Sequence, residues 1–315
     1  MRVMARRFGA GFTFAEVMLD RFVLSVSRGR KATRYLRVSD EDRPAAAQLM
    51  GSEPEEFAQA AGVLLEAGFD WIDLNFGCPV RKVIGKCRGG WYLGNPQAAL
   101  EVIDRVREVL PPDVALTVKM RRGVDDSPAS REAFFTILEG AFARGVNAVT
   151  VHGRTVKQRY DGPSDWGFLR QVKAWAGTRL IFGSGDLFTA EACFRMMRET
   201  GTDAVTVARG AIGNPWIFSR IRALAENRPL PPLPTVREQR EVLVEHLRLS
   251  LETYGEKLGL RTMRNHAIKY ARLHPQYLDV RNAFVRVKRL DDWQTVLERF
   301  YQDDAPGRDP VPDMT

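Results

Sequence analysis

The chain has 315 residues, 44% hydrophobic and 27% charged, with a formal net charge of +8 and a pI near 9.6. That make-up is globular, sized for one large domain or a large one with a small companion. No apolar run approaches the length of a membrane span, and the basic N-terminus has no apolar core of signal-peptide length, so a cytoplasmic protein is expected.

Three cysteines, Cys78, Cys87 and Cys193, are too few and too irregularly spaced for a disulfide framework or a structural zinc. A Cys78–Cys87 disulfide is the weaker reading in a reducing compartment. The positive charge is clustered. Residues 1–37 carry nine Lys/Arg against two acids, and residues 261–289 carry eight against one, interleaved with His266, Tyr270, His274, Tyr277 and Phe284. Two separated basic stretches suit a long polyanion such as nucleic acid better than a small ligand.

In chain order, residues 1–9 read as the end of a helix and Phe12–Val17 as a strand ending in a carboxylate. Arg28–Arg37 is a basic connection, and Ala45–Gly51 a short strand with Gln48 near its end. Helix Pro54–Ala67 places Phe57, Ala61, Leu64 and Leu65 on one face, and Gly68 ends it. Strand Trp71–Asn75 breaks into the turn Gly77-Cys78-Pro79 and a basic, glycine-rich loop. Asn95-Pro96 is expected to cap the next helix. Strands Ala115–Met120, Ala148–His152, Arg179–Phe182 and Ala204–Ala208 follow, separated by helices over 131–144, 168–175 and 190–199, and Pro215 opens a further helix.

Apolar strands alternating with helices mean parallel pairing. Glu16, Gln48, Asn75, Lys119, His152, Ser184 and Arg209 all fall at or just past strand ends. The expected fold is therefore α/β, a TIM (β/α)₈-type barrel with seven visible strands, in which these positions converge on one mouth. A doubly wound open sheet is the alternative, disfavoured because no GxGxxG turn follows an early strand. Residues 226–234 form a proline-rich linker, Thr235–Glu238 is a capping box, and Asp291 or Asp292 caps a last helix. The expected division is a catalytic barrel over 1–225, a small helical domain over 235–301, and a tail over 302–315 without fixed structure.

Lys119, His152 and Arg209, with the glycines at 183, 185 and 210, suit a phosphate-bearing cofactor, because late barrel loops are the usual phosphate site of this architecture. Cys78 has two candidate roles. A protonated thiol donates a proton, whereas a thiolate favoured by Arg81, Lys82 and Lys86 acts as a nucleophile. With four histidines, of which only His152 lies in the barrel, no metal site is expected.

Taken together, Gln48-Leu49-Met50-Gly51, Asp73-Leu74-Asn75-Phe76-Gly77-Cys78-Pro79, Val118-Lys119-Met120-Arg121, Val151-His152-Gly153-Arg154-Thr155, Arg209-Gly210 through Asn214-Pro215-Trp216, and Met263-Arg264 with His266 and Tyr270 closely resemble the tRNA-dihydrouridine synthase family. The resemblance covers most of the chain, and its Asn-x-Gly-Cys-Pro and His-Gly-Arg-Thr segments are specific. It implies a flavin-dependent reduction of uridine in tRNA, with FMN as cofactor, NADPH as reductant, and Cys78 protonating C5 of a flipped-out base. It implies that Gln48 and Lys119 hold the flavin ring and that His152, Ser184, Gly185, Asp186, Ala208 and Arg209 surround its phosphate. Asn75, Lys82, Arg264 and His266 are implied to contact substrate, the helical domain to bind tRNA, and the protein to act as a monomer.

The family's opening strand and Pro-Met-x-Gly-x-Thr-Asp loop have no match here, so the barrel is expected to lack its first strand. Ser184 stands where the family usually has Asn and Ala208 where it has Gly. Trp91 and Tyr92 stand where small residues are usual, so these aromatics are expected to narrow the substrate pocket or to mark a divergent paralogue. Two other readings stay open: a tRNA-binding paralogue without catalysis, and an FMN barrel acting on a small molecule.

Overall fold

The computed structural model describes residues 1–27 and 35–310. Residues 28–34 of the basic connection and the last five residues lie outside them.

Eight short strands form one parallel sheet: β1 (Thr13–Phe14), β2 (Met18–Leu19), β3 (Ala45–Met50), β4 (Trp71–Phe76), β5 (Leu116–Arg121), β6 (Ala148–His152), β7 (Leu180–Ser184) and β8 (Ala204–Val205). They pair in the order β1-β3-β4-β5-β6-β7-β8, with β2 also on β3. Among the described residues no ladder joins β8 to β1. The strand expected over 12–17 is split, and both pieces pair with β3. Strand β8 stops at Val205, three residues short of expectation, although Thr206 N–H still donates to the Gly183 carbonyl at 2.9 Å.

Helices α1 (Arg2–Arg7), α2 (Asp20–Val26), α3 (Pro54–Glu66), α4 (Arg81–Ile84), α5 (Pro96–Val109), α6 (Pro128–Ala143), α7 (Trp166–Ala176), α8 (Ala190–Thr200) and α9 (Trp216–Ala225) belong to this half of the chain. Strand alternation decides what faces them. Ile72, Leu74 and Phe76 on β4 and Leu116, Val118 and Met120 on β5 are fully buried in one apolar cluster with Phe57, Val102, Phe134 and Leu169 from the helices. The intervening positions point to the barrel axis. At the bottom of the barrel Phe12 bridges the interior, its ring 5.6 Å from Trp71 and 5.9 Å from Phe182.

Helices α10 (Val236–Tyr254), α11 (Glu256–Tyr270), α12 (Tyr277–Arg286) and α13 (Leu290–Phe300) enclose a second apolar cluster that includes Leu243, Met263, Tyr270, Phe284 and Trp293. The capping box opens α10: Glu238 N–H donates to Thr235 Oγ1, and Thr235 N–H donates to Glu238 Oε2. Contacts such as Arg7–Glu245 at 2.6 Å and Trp216 against Tyr270 join the helices to the barrel.

Several local expectations are corrected. Asn95 heads α5, but its side chain donates back to the Trp91 carbonyl at 3.0 Å instead of capping. Asp292 sits inside the last helix, in its first turn, where its carboxylate accepts from the N–H groups of Lys288 and Arg289. Residues 303–310, expected to lack fixed structure, are bound to the helices. Val236 N–H donates to the Ala305 carbonyl, Arg237 N–H to Asp304 Oδ1, and Arg308 N–H to the Leu273 carbonyl. Gly307 lies so near the Pro234 carbonyl that a β-carbon there would fall 2.1 Å from its oxygen.

Candidate active site at the barrel mouth

The register stacks polar side chains in layers along the barrel axis. Gln48 pairs with Asp73 and Asp73 with Thr117, forming one row across β3, β4 and β5. Two residues further on, Asn75 pairs with Lys119 and Lys119 with Thr150. Arg121, His152 and Ser184 form the row at the rim.

Hydrogen bonds tie the lower rows together. Asp73, fully buried, accepts from Gln48 Nε2 at 2.7 Å and from the Thr117 hydroxyl at 2.6 Å. Burial pushes its carboxyl up to about 6, against the pull of these donors and of Lys119. Asn75 Nδ2 donates to Gln48 Oε1 at 2.8 Å, and Asn75 Oδ1 accepts from Gly77 and Cys78 N–H, both at 3.1 Å. Cys78 is half-buried at the start of the loop, and all three cysteines are free thiols. Gly90 N–H returns to the Cys78 carbonyl at 3.0 Å, and Arg121 Nε donates to the Gly77 carbonyl at 3.0 Å. Burial holds the Lys119 ammonium below its usual range, while Asp73 opposes the shift.

The rim is dominated by cations. His152 is buried, and its Nδ1 accepts from Arg154 N–H at 3.1 Å, which leaves Nε2 as the protonated, donating nitrogen. Burial first, then the charges of Lys119, Arg121, Arg154 and Arg209, push this imidazole down to about 2, so it is neutral at physiological pH. Arg154 donates to both carboxylate oxygens of Asp186 at 2.8 and 2.9 Å and to the Gly162 carbonyl, while its buried Nη1 has no partner. Asp186, in a left-handed conformation with φ +59, also accepts from Ser164 N–H and lies 3.7 Å from Arg209. Tyr160 stands beside two guanidiniums, with Arg209 4.6 Å and Arg121 5.4 Å from its ring centre. Gly185, φ +117, could carry no side chain, because a β-carbon would fall 2.3 Å from Ser164 Oγ.

Gln48, Asn75, Cys78, Lys119, His152, Ser184, Gly185, Asp186 and Arg209 thus gather at one end of the barrel. Ala208 is exposed beside them, its carbonyl accepting from Ala211 N–H. Lys82 is exposed on α4. Arg264 donates to the Val287 carbonyl at 3.4 Å and His266 packs on His246 at 4.9 Å, so both are engaged within the helical unit. Sequence reasoning did not single out Asp73, Thr117, Arg121, Arg154 and Tyr160 as site residues. Tyr92 does not narrow the mouth: it is buried in the core 4.6 Å from Phe76, its hydroxyl directed to the Gly51 carbonyl. Among the described residues no cluster of three or more His, Cys, Asp or Glu is arranged to hold a metal ion, and no helix is long and apolar enough to cross a membrane.

Fold and site define a TIM-barrel-type architecture whose polar groups collect at the carboxyl ends of its strands. The chain belongs to the dihydrouridine synthase family: residues 1–305 match the family described as "Dihydrouridine synthase (Dus)". It is 34% identical over 300 residues to a probable tRNA-dihydrouridine synthase of Rickettsia conorii, covering 95% of this chain and 87% of that one. It is 32% identical over 305 residues to tRNA-dihydrouridine synthase B of Xanthomonas axonopodis pv. citri, covering 96% and 88%. Among solved structures, histamine dehydrogenase from Rhizobium sp. 4-9 superposes with a TM-score of 0.52 at 15% identity, and a 2-naphthoyl-CoA reductase with 0.54 at 10%. Each match covers 72% of this chain but under half of the other, 42% and 46%, and shows a shared fold.

Proposed function

We propose that this chain reduces uridine in tRNA to 5,6-dihydrouridine, using FMN re-reduced by NADPH. The observation that carries the reading is Cys78, half-buried at a strand end, its turn fixed by Asn75, which bonds Gln48 in the row below and pairs with Lys119 in its own.

The rim is chemically suited to a flavin phosphate. Lys119, Arg121, Arg154 and Arg209 outweigh the carboxylates of Asp73 and Asp186, the buried imidazole stays neutral with Nε2–H to give, and Arg154 keeps an unused buried donor. His152, Ser184, Gly185, Asp186, Ala208 and Arg209 would surround the phosphate, and Gln48 and Lys119 the ring. Bound there, FMN would supply hydride for C6 of the uracil. Cys78 holds the proton that C5 requires, and Asn75 orients the base. Lys119, half-exposed at the mouth, offers a donor to the polar edge of the ring.

The basic helical domain over 235–301 is the RNA-binding part of this reading. Arg209 at the rim is near enough to Lys269 and Arg272 for its charge to lower both, after burial as the leading cause. Cationic side chains therefore run from the mouth onto α11, as a polyanion requires. Lys82, Arg264 and His266 are proposed contacts on that path, and the protein is proposed to be a cytoplasmic monomer.

The test is Cys78→Ala. The purified variant is expected to keep its yellow flavin and its tRNA affinity while dihydrouridine formation falls by about 10²-fold or more, the usual scale of a lost general acid. Full activity in that variant rules out the assigned role. A colourless protein that binds tRNA with a steep salt dependence favours the non-catalytic reading.

A further inference from the structure

The hydrogen bonds below the mouth run in one direction. An ionised carboxylate has no hydrogen to give, so Asp73 obliges Gln48 to turn its NH₂ inward, at 2.7 Å, and its Oε1 outward. The outward oxygen can only accept, and Asn75 Nδ2 donates to it at 2.8 Å. With its NH₂ committed, Asn75 presents Oδ1 to the chain beyond the strand, where Gly77 and Cys78 N–H donate to it. An isolated amide sits equally well either way round. In this chain the one member that cannot be reversed is the buried carboxylate, and it lies at the far end from the thiol.

We infer that Asp73 is the positioning residue of the Cys78 turn, acting through the amide orientations of Gln48 and Asn75. Thr117 completes the arrangement by occupying the second carboxylate oxygen, at 2.6 Å, so that Oδ2 is left for Gln48. The competing role for Asp73 is as counter-charge to Lys119. The two roles separate on one substitution. Asp73→Asn removes the charge, but its amide carbonyl still accepts from Gln48 while its NH₂ donates to the Thr117 hydroxyl, which rotates to receive it. The catalytic meaning rests on the reading of Cys78 as proton donor; the positioning itself does not.

The measurement is the rate of Cys78 alkylation by iodoacetamide at fixed pH. It is made on the full chain carrying Cys87→Ser, because Cys87 is the exposed thiol and Cys193 is buried. Neither flavin nor RNA is needed, so a chain inactive on tRNA still gives an answer. Asp73→Asn is expected to stay within about twofold of the parent. Asp73→Val and Asn75→Ala are each expected to raise the rate about fivefold or more, since both release the turn, and the double variant should be no faster than either single one. The inference is overturned if folded Asp73→Val alkylates at the parent rate, if Asp73→Asn moves as far as Asp73→Val, or if the two effects multiply. Should Asp73→Val fail to fold, Gln48→Met severs the same connection from the half-exposed mouth and carries the same expectations.

Discussion

Gly89 lies against Cys78: a β-carbon added at Gly89 would fall 2.7 Å from the Cys78 β-carbon, and Gly89 itself holds φ +56. The loop after α4 therefore folds back onto the cysteine turn at a distance only a glycine permits. Gly89→Ala is expected to cost about 1–3 kcal/mol through the combined clash and left-handed strain. On the role proposed for Cys78, it should also cut activity by more than the stability loss explains. Urea unfolding beside single-turnover activity on tRNA would show it; an alanine variant with wild-type values for both would contradict the contact.

The pair Arg154–Asp186 is expected to be a strut of the rim. Arg154 is 4% exposed and donates twice to Asp186. Asp186→Ala leaves a buried guanidinium without its carboxylate, a loss on the scale of about 3–5 kcal/mol. Asp186→Asn should be milder. The denaturation midpoint reports the first effect, and the flavin absorbance of the purified variant reports whether the proposed phosphate site survives.

Acid should destabilise the fold from the histidine range downward. His152 and His246 are pushed down to about 2 and His266 to about 4, burial being the first cause in each. Between pH 7 and pH 5 the unfolded chain protonates these rings and the folded chain does not, which at pH 5 costs the fold about 2 kcal/mol per ring. Asp73 works the other way. Its carboxyl, pushed up to about 6, takes a proton in the folded state before the unfolded one does, returning about 1 kcal/mol over the same interval. The three rings outweigh the one carboxyl, so the melting temperature should fall from pH 7 to pH 5. A flat or rising profile would count against burial of the neutral rings.

Deleting residues 303–315 should weaken the helical unit. It removes the backbone bond from Val236 to Ala305, the bond from Arg237 to Asp304, and the bond from Arg308 to Leu273. At about 1 kcal/mol each the loss is about 3 kcal/mol. A truncated protein with an unchanged melting temperature would show that these bonds add nothing.

The strands from β3 to β7 were legible because their outward positions are unbroken apolar sequence, and the mouth was legible because Gln48, Asn75, Lys119 and His152 interrupt that pattern at strand ends. Asp73 and Thr117 escaped because they lie two residues earlier, where a polar residue reads as a blemish in an apolar strand. Their even spacing from Asn75 and Lys119 was the available signal, since a two-residue step returns to the same face. Arg121, Arg154 and Tyr160 were not legible as a group. They come from β5 and the loop after β6, and are brought together only by the fold, Arg121 and Arg209 against the Tyr160 ring and Arg154 on Asp186. The fixed tail was missed for a different reason: its bonds are to backbone groups of Leu273, Val236 and Arg237, which leave no trace in side-chain composition.

The layered register also bears on what kinds of change the family can survive. Because Lys119 and Met120 differ only in which side of the sheet they occupy, the sheet acts like a reading frame. Inserting or deleting one residue inside β5 would send Met120 or Val118 into the mouth and a lysine into the helix-facing core, a frameshift that no single compensating substitution repairs. Length variation among related chains should therefore be confined to the connections between strands, while within β4, β5 and β6 evolution is left with exchange of side chains alone.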